Sequence, residues 1–374
     1  MADIDLIDSM IPNSTSPYAD TQYPSGDRPS AFEVSSVSGA FAEGQDLVIF
    51  GGGFGSEGPL VVSADNFFGK SDGQLLSIND AQVGQYAEIA NIGTYEAAQG
   101  LAGNVGLRYQ DGALAEKSSY APILGVPNAS EAIRIAAGIS EAEWQGWLPF
   151  KEFKIFTAIY GNGGSYNSKD TWLMLGHRGD NGADPGQGND IVLLNDTGAS
   201  LSMHSNTNNI PTIYPNTSGT YKKDNWNFHT ITMNSEAANA VIDYTGRNGT
   251  GINEQTFTPL LNWQTDPEYY DRVKLGGYSQ AGVTDKRWFG AVYLAVTDTL
   301  SGTNRYAKCC VEIYNAATPE TASIAGVMPS TAWADGVITV KCWTLGIAEA
   351  DAYIRVVDKD NNSTPMVKLT EVLV

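Results

Sequence analysis

Trp226-Asn227-Phe228-His229-Thr230-Ile231-Thr232-Met233, followed shortly by Ala240-Val241-Ile242-Asp243-Tyr244-Thr245-Gly246-Arg247, is the stretch on which the fold turns. Both runs are short and rich in β-branched and aromatic residues, which suit a pleated, half-buried surface. The same kind of run recurs outward: at 86–89, 106–109, 132–136, 153–160, 171–175 and 190–194 on one side, and at 272–275 and 289–296 on the other. Gly, Asn and Asp fall between them, the residues that make turns cheap. Many short strands at such spacing predict an all-β sandwich or jelly roll over residues 65–302. One helical window stands out, 140–147, where Ser140 precedes Glu143 at capping-box spacing.

The flanks read differently. Residues 1–32 are polar, carry Pro12, Pro17, Pro24 and Pro29, and show no sustained periodicity. They predict an extended N-terminal arm that needs a partner or the protein body to order it. Short strand-like runs follow at 32–37, 46–50 and 59–62, and others at 309–314, 322–327, 337–343, 353–357 and 367–374. Between two of the early runs, Gly53-x-Gly55-x-x-Gly58 imitates a dinucleotide fingerprint. That motif needs a helix N-terminus after it. Pro59-Leu60-Val61-Val62 follows instead, so the glycines are assigned to a tight turn.

With 374 residues the chain has room for two or three domains and substantial cores. Lys plus Arg is 22 and Asp plus Glu is 42, a formal charge of −20, which argues against nucleic acid or an anionic membrane as partner. No stretch approaches the length of a membrane span. The opening residues are acidic and lack the apolar run of a signal peptide, which predicts folding in a cytoplasm. Cys309, Cys310 and Cys342 form neither a disulfide framework nor a zinc pattern, and predict small buried side chains. Cys309 and Cys310, being adjacent, face opposite ways in a strand.

Two family resemblances sharpen the picture. Ser35-Ser36-Val37-Ser38-Gly39 with Gly44-Gln45-Asp46-Leu47-Val48-Ile49-Phe50-Gly51-Gly52-Gly53-Phe54-Gly55 resembles the opening of an IPT/TIG immunoglobulin-like domain. Thr331 to Val340 and Ala352 to Asp358 resemble its latter half. The resemblance implies one immunoglobulin-like β-sandwich, residues 33–64 plus 303–374, split by a large insert; two small β units flanking the centre are the alternative. The quoted runs at 226–233 and 240–247, with Arg272-Val273-Lys274-Leu275-Gly276-Gly277-Tyr278 and Trp288-Phe289-Gly290-Ala291-Val292-Tyr293, resemble concanavalin A-like, laminin G-like jelly rolls. That fold hosts lectins, hydrolases, lyases and structural modules, so it leaves function open.

Candidate site residues follow from side-chain chemistry. Trp172, Tyr214, Trp263, Tyr269 and Tyr270 lie in or beside loops of the central block, where flat rings stack on a sugar or a protein partner; core packing is the competing role. Asp180, Asn181, Asp184 and Asp190 sit in an oxygen-rich loop that suits calcium, the one cofactor considered, although its spacing is not an EF-hand, it lacks the closing Glu, and a solvated turn is the better-supported reading. The strand-borne carboxylate pair of a glycosidase and a nucleophile elbow are both missing from the sequence. His177 and Arg178 are the adjacent pair a lyase would use, with His204, Tyr214 and His229 elsewhere.

Arm, split sandwich and jelly roll together resemble bacteriophage virion surface proteins: capsid decoration proteins, head fibres or tail adhesins. The resemblance implies a non-enzymatic virion protein, multi-copy or homo-oligomeric, with capsid or tail subunits as partners and a host cell-surface glycan as a further contact. A polysaccharide-degrading lyase or hydrolase, and a bacterial glycan-binding protein, are the alternatives.

Overall fold

A computed structural model describes residues 32–89, 94–110, 119–141, 144, 146–162, 170–171, 173–177, 191–196, 200–205, 222, 224–234, 241–248, 252–257, 270–277 and 286–374. The arm before residue 32 lies outside them.

The chain is all-β, built as two sandwiches. In the smaller, β1 (Glu33–Ser38), β2 (Asp46–Gly52), β22 (Val337–Lys341) and β21 (Ser330–Ala334) form one antiparallel sheet in that order. Its facing sheet is β20 (Ala325–Met328), β19 (Cys310–Tyr314), β23 (Tyr353–Val357) and β24 (Val367–Lys368). The sheet is therefore continuous across the insert: Asp46 lies opposite Lys341 and Phe50 opposite Val337. Val37, Leu47, Ile49, Val311, Ile313, Ile338, Val340, Ile354 and Val356 fill the space between the sheets, alternating with outward residues as a pleated strand requires.

The larger sandwich rests on a nine-stranded sheet. Its main path runs β16 (Ile252–Phe257), β15 (Val241–Arg247), β14 (Trp226–Asn234), β9 (Glu152–Asn162), β18 (Lys286–Val296), β3 (Leu60–Asp65) and β4 (Val83–Gly84). Strands β7 (Gly106–Gln110) and β6 (Thr94–Glu96) branch from β18. Opposite stand β11 (Leu173–His177), β17 (Tyr270–Gly277), β8 (Ser119–Gly125) and β5 (Glu88–Ile89). A third sheet holds β10 (Asp170–Thr171), β12 (Ile191–Asp196) and β13 (Ser200–Ser205).

Three sequence expectations need correction. Strand β3, assigned by sequence to the immunoglobulin-like segment 33–64, pairs with β18 in the large sheet, because Val62 and Phe67 find their apolar partners in the larger core. The run 132–136 is not a strand but helix α1 (Glu131–Ala136), whose Ala and Arg residues favour that state and whose Arg134 pairs with Glu131 one turn away. The closing run 367–374 is strand only at β24; it then turns into helix α2 (Leu369–Val372), which buries Leu369. Glu143 of the expected helical window lies outside the described residues. No helix among the described residues is long and apolar enough to cross a membrane.

The two sandwiches share a layer. On β9, Phe153, Ile155 and Ile159 point into the larger core, while Phe156 and Ala158 point into the cluster that also holds the smaller sandwich. On β18, Phe289, Val292, Leu294 and Val296 take the first side, and Ala291, Tyr293 and Ala295 the second. Both central strands are thus buried on both faces. Contact is close enough to need a glycine: a Cβ on Gly326 of β20 would sit 2.8 Å from the Phe156 ring. The glycine-rich turn after β2 is a turn, with φ of 68° at Gly53 and 72° at Gly55, and β3 follows it.

Candidate functional site

The shared layer carries an unusual concentration of buried charge. Lys154 of β9, between Phe153 and Ile155, projects toward β19 and is 4% exposed. Its Nζ donates to Glu312 Oε1 at 2.8 Å and lies 2.9 Å from Cys310 Sγ. Strand alternation puts Cys310, Glu312 and Tyr314 on this face of β19, and Val311 and Ile313 on the other. Arg355, on the neighbouring β23, donates from Nε to Glu312 Oε2 at 2.8 Å and from Nη2 to the Tyr314 hydroxyl at 2.9 Å. Tyr314 in turn donates to Glu312 Oε2 at 2.6 Å. Arg247 of β15 reaches across with Nη1 to the carbonyls of Pro319 and Ala322 at 2.6 and 2.7 Å, its guanidinium 5.7 Å from the Tyr314 ring centre.

Burial alone would push the Glu312 carboxyl up, but the Lys154 and Arg355 charges outweigh it and hold the group well below the usual carboxylate range. Burial lowers Lys154, and the Cys310 and Glu312 beside it more than restore it. Burial pushes the Cys310 thiol up to about 12. At neutral pH the seam is therefore an ammonium, a carboxylate and a thiol in one contact.

A second joint lies where the chain passes between sandwiches at β3. Glu43, on the smaller sandwich, accepts from the Thr344 N–H at 2.8 Å and from the Asn66 side-chain amide. Trp343 donates to Gln82 Oε1 at 2.7 Å. Beside them Asp65 is fully buried, accepting from the Phe67 N–H at 2.8 Å and the Tyr86 hydroxyl at 2.9 Å. Lys70 is committed to Asp80 at 3.0 Å, and Asp80 also accepts from Tyr95. With no cation in contact among the described residues, burial pushes the Asp65 carboxyl up to about 7.

Tyr270 corrects a sequence expectation: it is 3% exposed and packs in the larger core, its backbone paired with Phe150, so its ring is not offered to a sugar or partner. Burial of a strand-initial aromatic beside Val273 and Leu275 is the lower-energy use of its area. Trp172, Tyr214, Trp263, Tyr269 and the loop residues Asp180, Asn181, Asp184 and Asp190 lie outside the described residues, as does Arg178. His177 falls in β11, opposite Tyr270. His229 is a core group: buried, 3.0 Å from the Tyr244 hydroxyl, its imidazole pushed down to about 3 by burial and so neutral. Cys309 and Cys310 do face apart, Cys309 donating to the Glu57 carbonyl at 3.2 Å. Lys154, Glu312, Arg355 and Asp65 are absent from the sequence-derived candidates. For the first three the signal was a charge between two apolar neighbours, as in Phe153-Lys154-Ile155 and Val311-Glu312-Ile313.

No protein-family model matches the chain, and no curated protein matches it. Among solved structures it is similar to peanut lectin, at 12% identity and a TM-score of 0.35, over 63% of this chain and 97% of that one. It is similar to lectin I from Ulex europaeus at 12% identity and a TM-score of 0.33, over 59% and 94%. An alginate lyase from Chlorella virus is similar at 9% identity and a TM-score of 0.31, over 47% and 85%.

Proposed function

We propose that the chain is a non-enzymatic surface protein of a bacteriophage particle. In this reading the arm and the smaller, immunoglobulin-like sandwich dock on capsid or tail subunits. The jelly roll is turned outward, toward a host-surface glycan. The observation that carries the reading is the way the two sandwiches are joined. The larger one is inserted into the smaller, shares a double-faced sheet with it, and is tied to it by buried ion pairs at Glu312 and hydrogen bonds at Glu43. Such a joint transmits orientation and load from a dock to a binding head, where a flexible linker would not.

Mass spectrometry of purified particles tests the location: the chain should be a stoichiometric component, and its confinement to the soluble fraction of lysed host cells would overturn the reading. For the glycan contact, Trp263→Ala and Tyr214→Ala should weaken attachment to host cells without unfolding. Incubation with host capsular polysaccharide should release no new reducing or unsaturated ends. Steady release, lost in His177→Ala, would establish the lyase reading instead.

A further inference from the structure

Lys154 and Cys310 are 156 residues apart in sequence and belong to different sandwiches, yet Nζ and Sγ stand 2.9 Å apart. An ordinary hydrogen bond to sulfur is longer than one to oxygen, so this is close contact for the pair. Glu312 Oε1 completes a triangle, 2.8 Å from Nζ and 3.7 Å from Sγ, and pins the lysine head against the sulfur. Arg355 and Tyr314 hold the other carboxylate oxygen, so Glu312 cannot swing away. Tyr293, on the same face of the shared layer in β18, is fully buried with a hydroxyl that has no hydrogen-bond partner among the described residues, and Cys310 is the largest influence on its ionisation after burial itself. A buried phenol left unpaired costs free energy unless something fills its need.

We propose that Lys154 and Cys310 form a covalent, redox-reversible lysine–oxygen–cysteine bridge that welds the two sandwiches together, with dioxygen as oxidant. The Lys154 ammonium first gives one proton to solvent; the balance is then one thiol, one amine and one dioxygen giving one S–O–N bridge and one water. The S–H bond and one N–H bond break, and S–O and N–O bonds form. One oxygen atom enters the bridge and the other leaves as water with the two released hydrogens. Sulfur and nitrogen each give up two electrons, and dioxygen takes all four. Glu312 is a positioning residue, and the Tyr293 hydroxyl is a ready donor to the bridging oxygen. The proposal does not rest on the virion reading.

Protein purified in air and denatured without reductant should contain a species about 14 Da heavier than the sequence mass, one oxygen gained and two hydrogens lost. Reductant should return it to the sequence mass. Proteolysis before reduction should yield a linked pair of peptides, one bearing Lys154 and one bearing Cys310. Lys154→Arg keeps a cation beside Glu312 and should abolish both the mass shift and the linked peptide, while Cys309→Ser should keep both. The unfolding midpoint of the wild type, but not of Lys154→Arg, should fall on reduction. An unshifted mass after exposure to air and to peroxide overturns the proposal. So does a gain of about 16 or 32 Da without a linked peptide, which marks simple thiol oxidation, or a link through Cys309 or Cys342.

Discussion

Asp65 and Glu312 are both carboxylates at the joint between the two sandwiches, and the protein treats them oppositely. Glu312 receives Lys154, Arg355 and Tyr314, and stays ionised far into acid. Asp65 receives one backbone N–H and one phenol, and burial pushes it up to about 7, a rise that these donors and the nearby Lys70, paired with Asp80, only partly offset. Burial is common to both, so the number and charge of the donors decide the outcome. One carboxylate fixes the joint; the other is a cost the joint carries at neutral pH.

The largest effect that would break this contrast is removal of Glu312. Glu312→Ala strands Lys154 and Arg355 in a buried site, and should cost about 3–5 kcal/mol in chemical unfolding at pH 7. A loss under about 1 kcal/mol would mean the network behaves as a surface pair. Its pH sense follows from the depressed carboxyl. The contribution is present above the ordinary carboxylate range and is lost as pH falls through and below it.

Asp65 has the reverse sign. Its folded-state pKa is raised from 3.8 to about 7, so the folded protein holds a proton that the unfolded chain has released between those values. Stability from this group is full below pH 3.8 and is lost as pH rises through about 7. Asp65→Asn should therefore stabilise on the order of 2 kcal/mol at pH 8 and leave stability at pH 4 nearly unchanged. Equal effects at both pH values would show that Asp65 titrates normally. Tyr86→Phe sharpens the same point from the donor side. It should cost about 1–3 kcal/mol at pH 8, where the carboxylate needs its donor, and less at pH 4. The smallest effect belongs to Glu254, whose side chain is 56% exposed at 3.6 Å from Arg247. Glu254→Gln should change stability by about 0.5 kcal/mol or less, and that difference should vanish in high salt.

Strand chemistry was legible in the sequence where tertiary context agreed with it, as at 153–160, 228–233 and 289–296. It failed at 132–136, where Ala132, Ile133 and Ile135 suit either state and the Glu131–Arg134 pairing tips the balance to helix. The edge of the insert was misread by one strand because Leu60-Val61-Val62 carries no mark of which sheet it will join. Partner choice at that point is set by residues such as Val292 and Leu294 on β18, far along the chain, which share the larger core with Val62. The charged joint was hidden for a related reason. Lys154 and Glu312 each read as a charge between two apolar neighbours, and only the folded topology brings them into contact. Tyr270 shows the opposite failure: an aromatic beside a loop in sequence turned out to be core.

The insertion also sets a timetable. The hairpin of β1 and β2 leaves the ribosome early, but its β22 neighbour is made roughly 290 residues later, a delay of roughly 15–60 s at ordinary elongation rates. Hairpins form in microseconds, so for that interval the nascent chain carries an unpaired strand edge bearing Leu47, Ile49 and Phe50. The inserted sandwich folds in the meantime, with the last strand of its large sheet, β18, finished before β19 is begun. Biogenesis is therefore sequential, larger unit first, and the smaller sandwich closes only when the final segment arrives to claim a partner that has been waiting since the start.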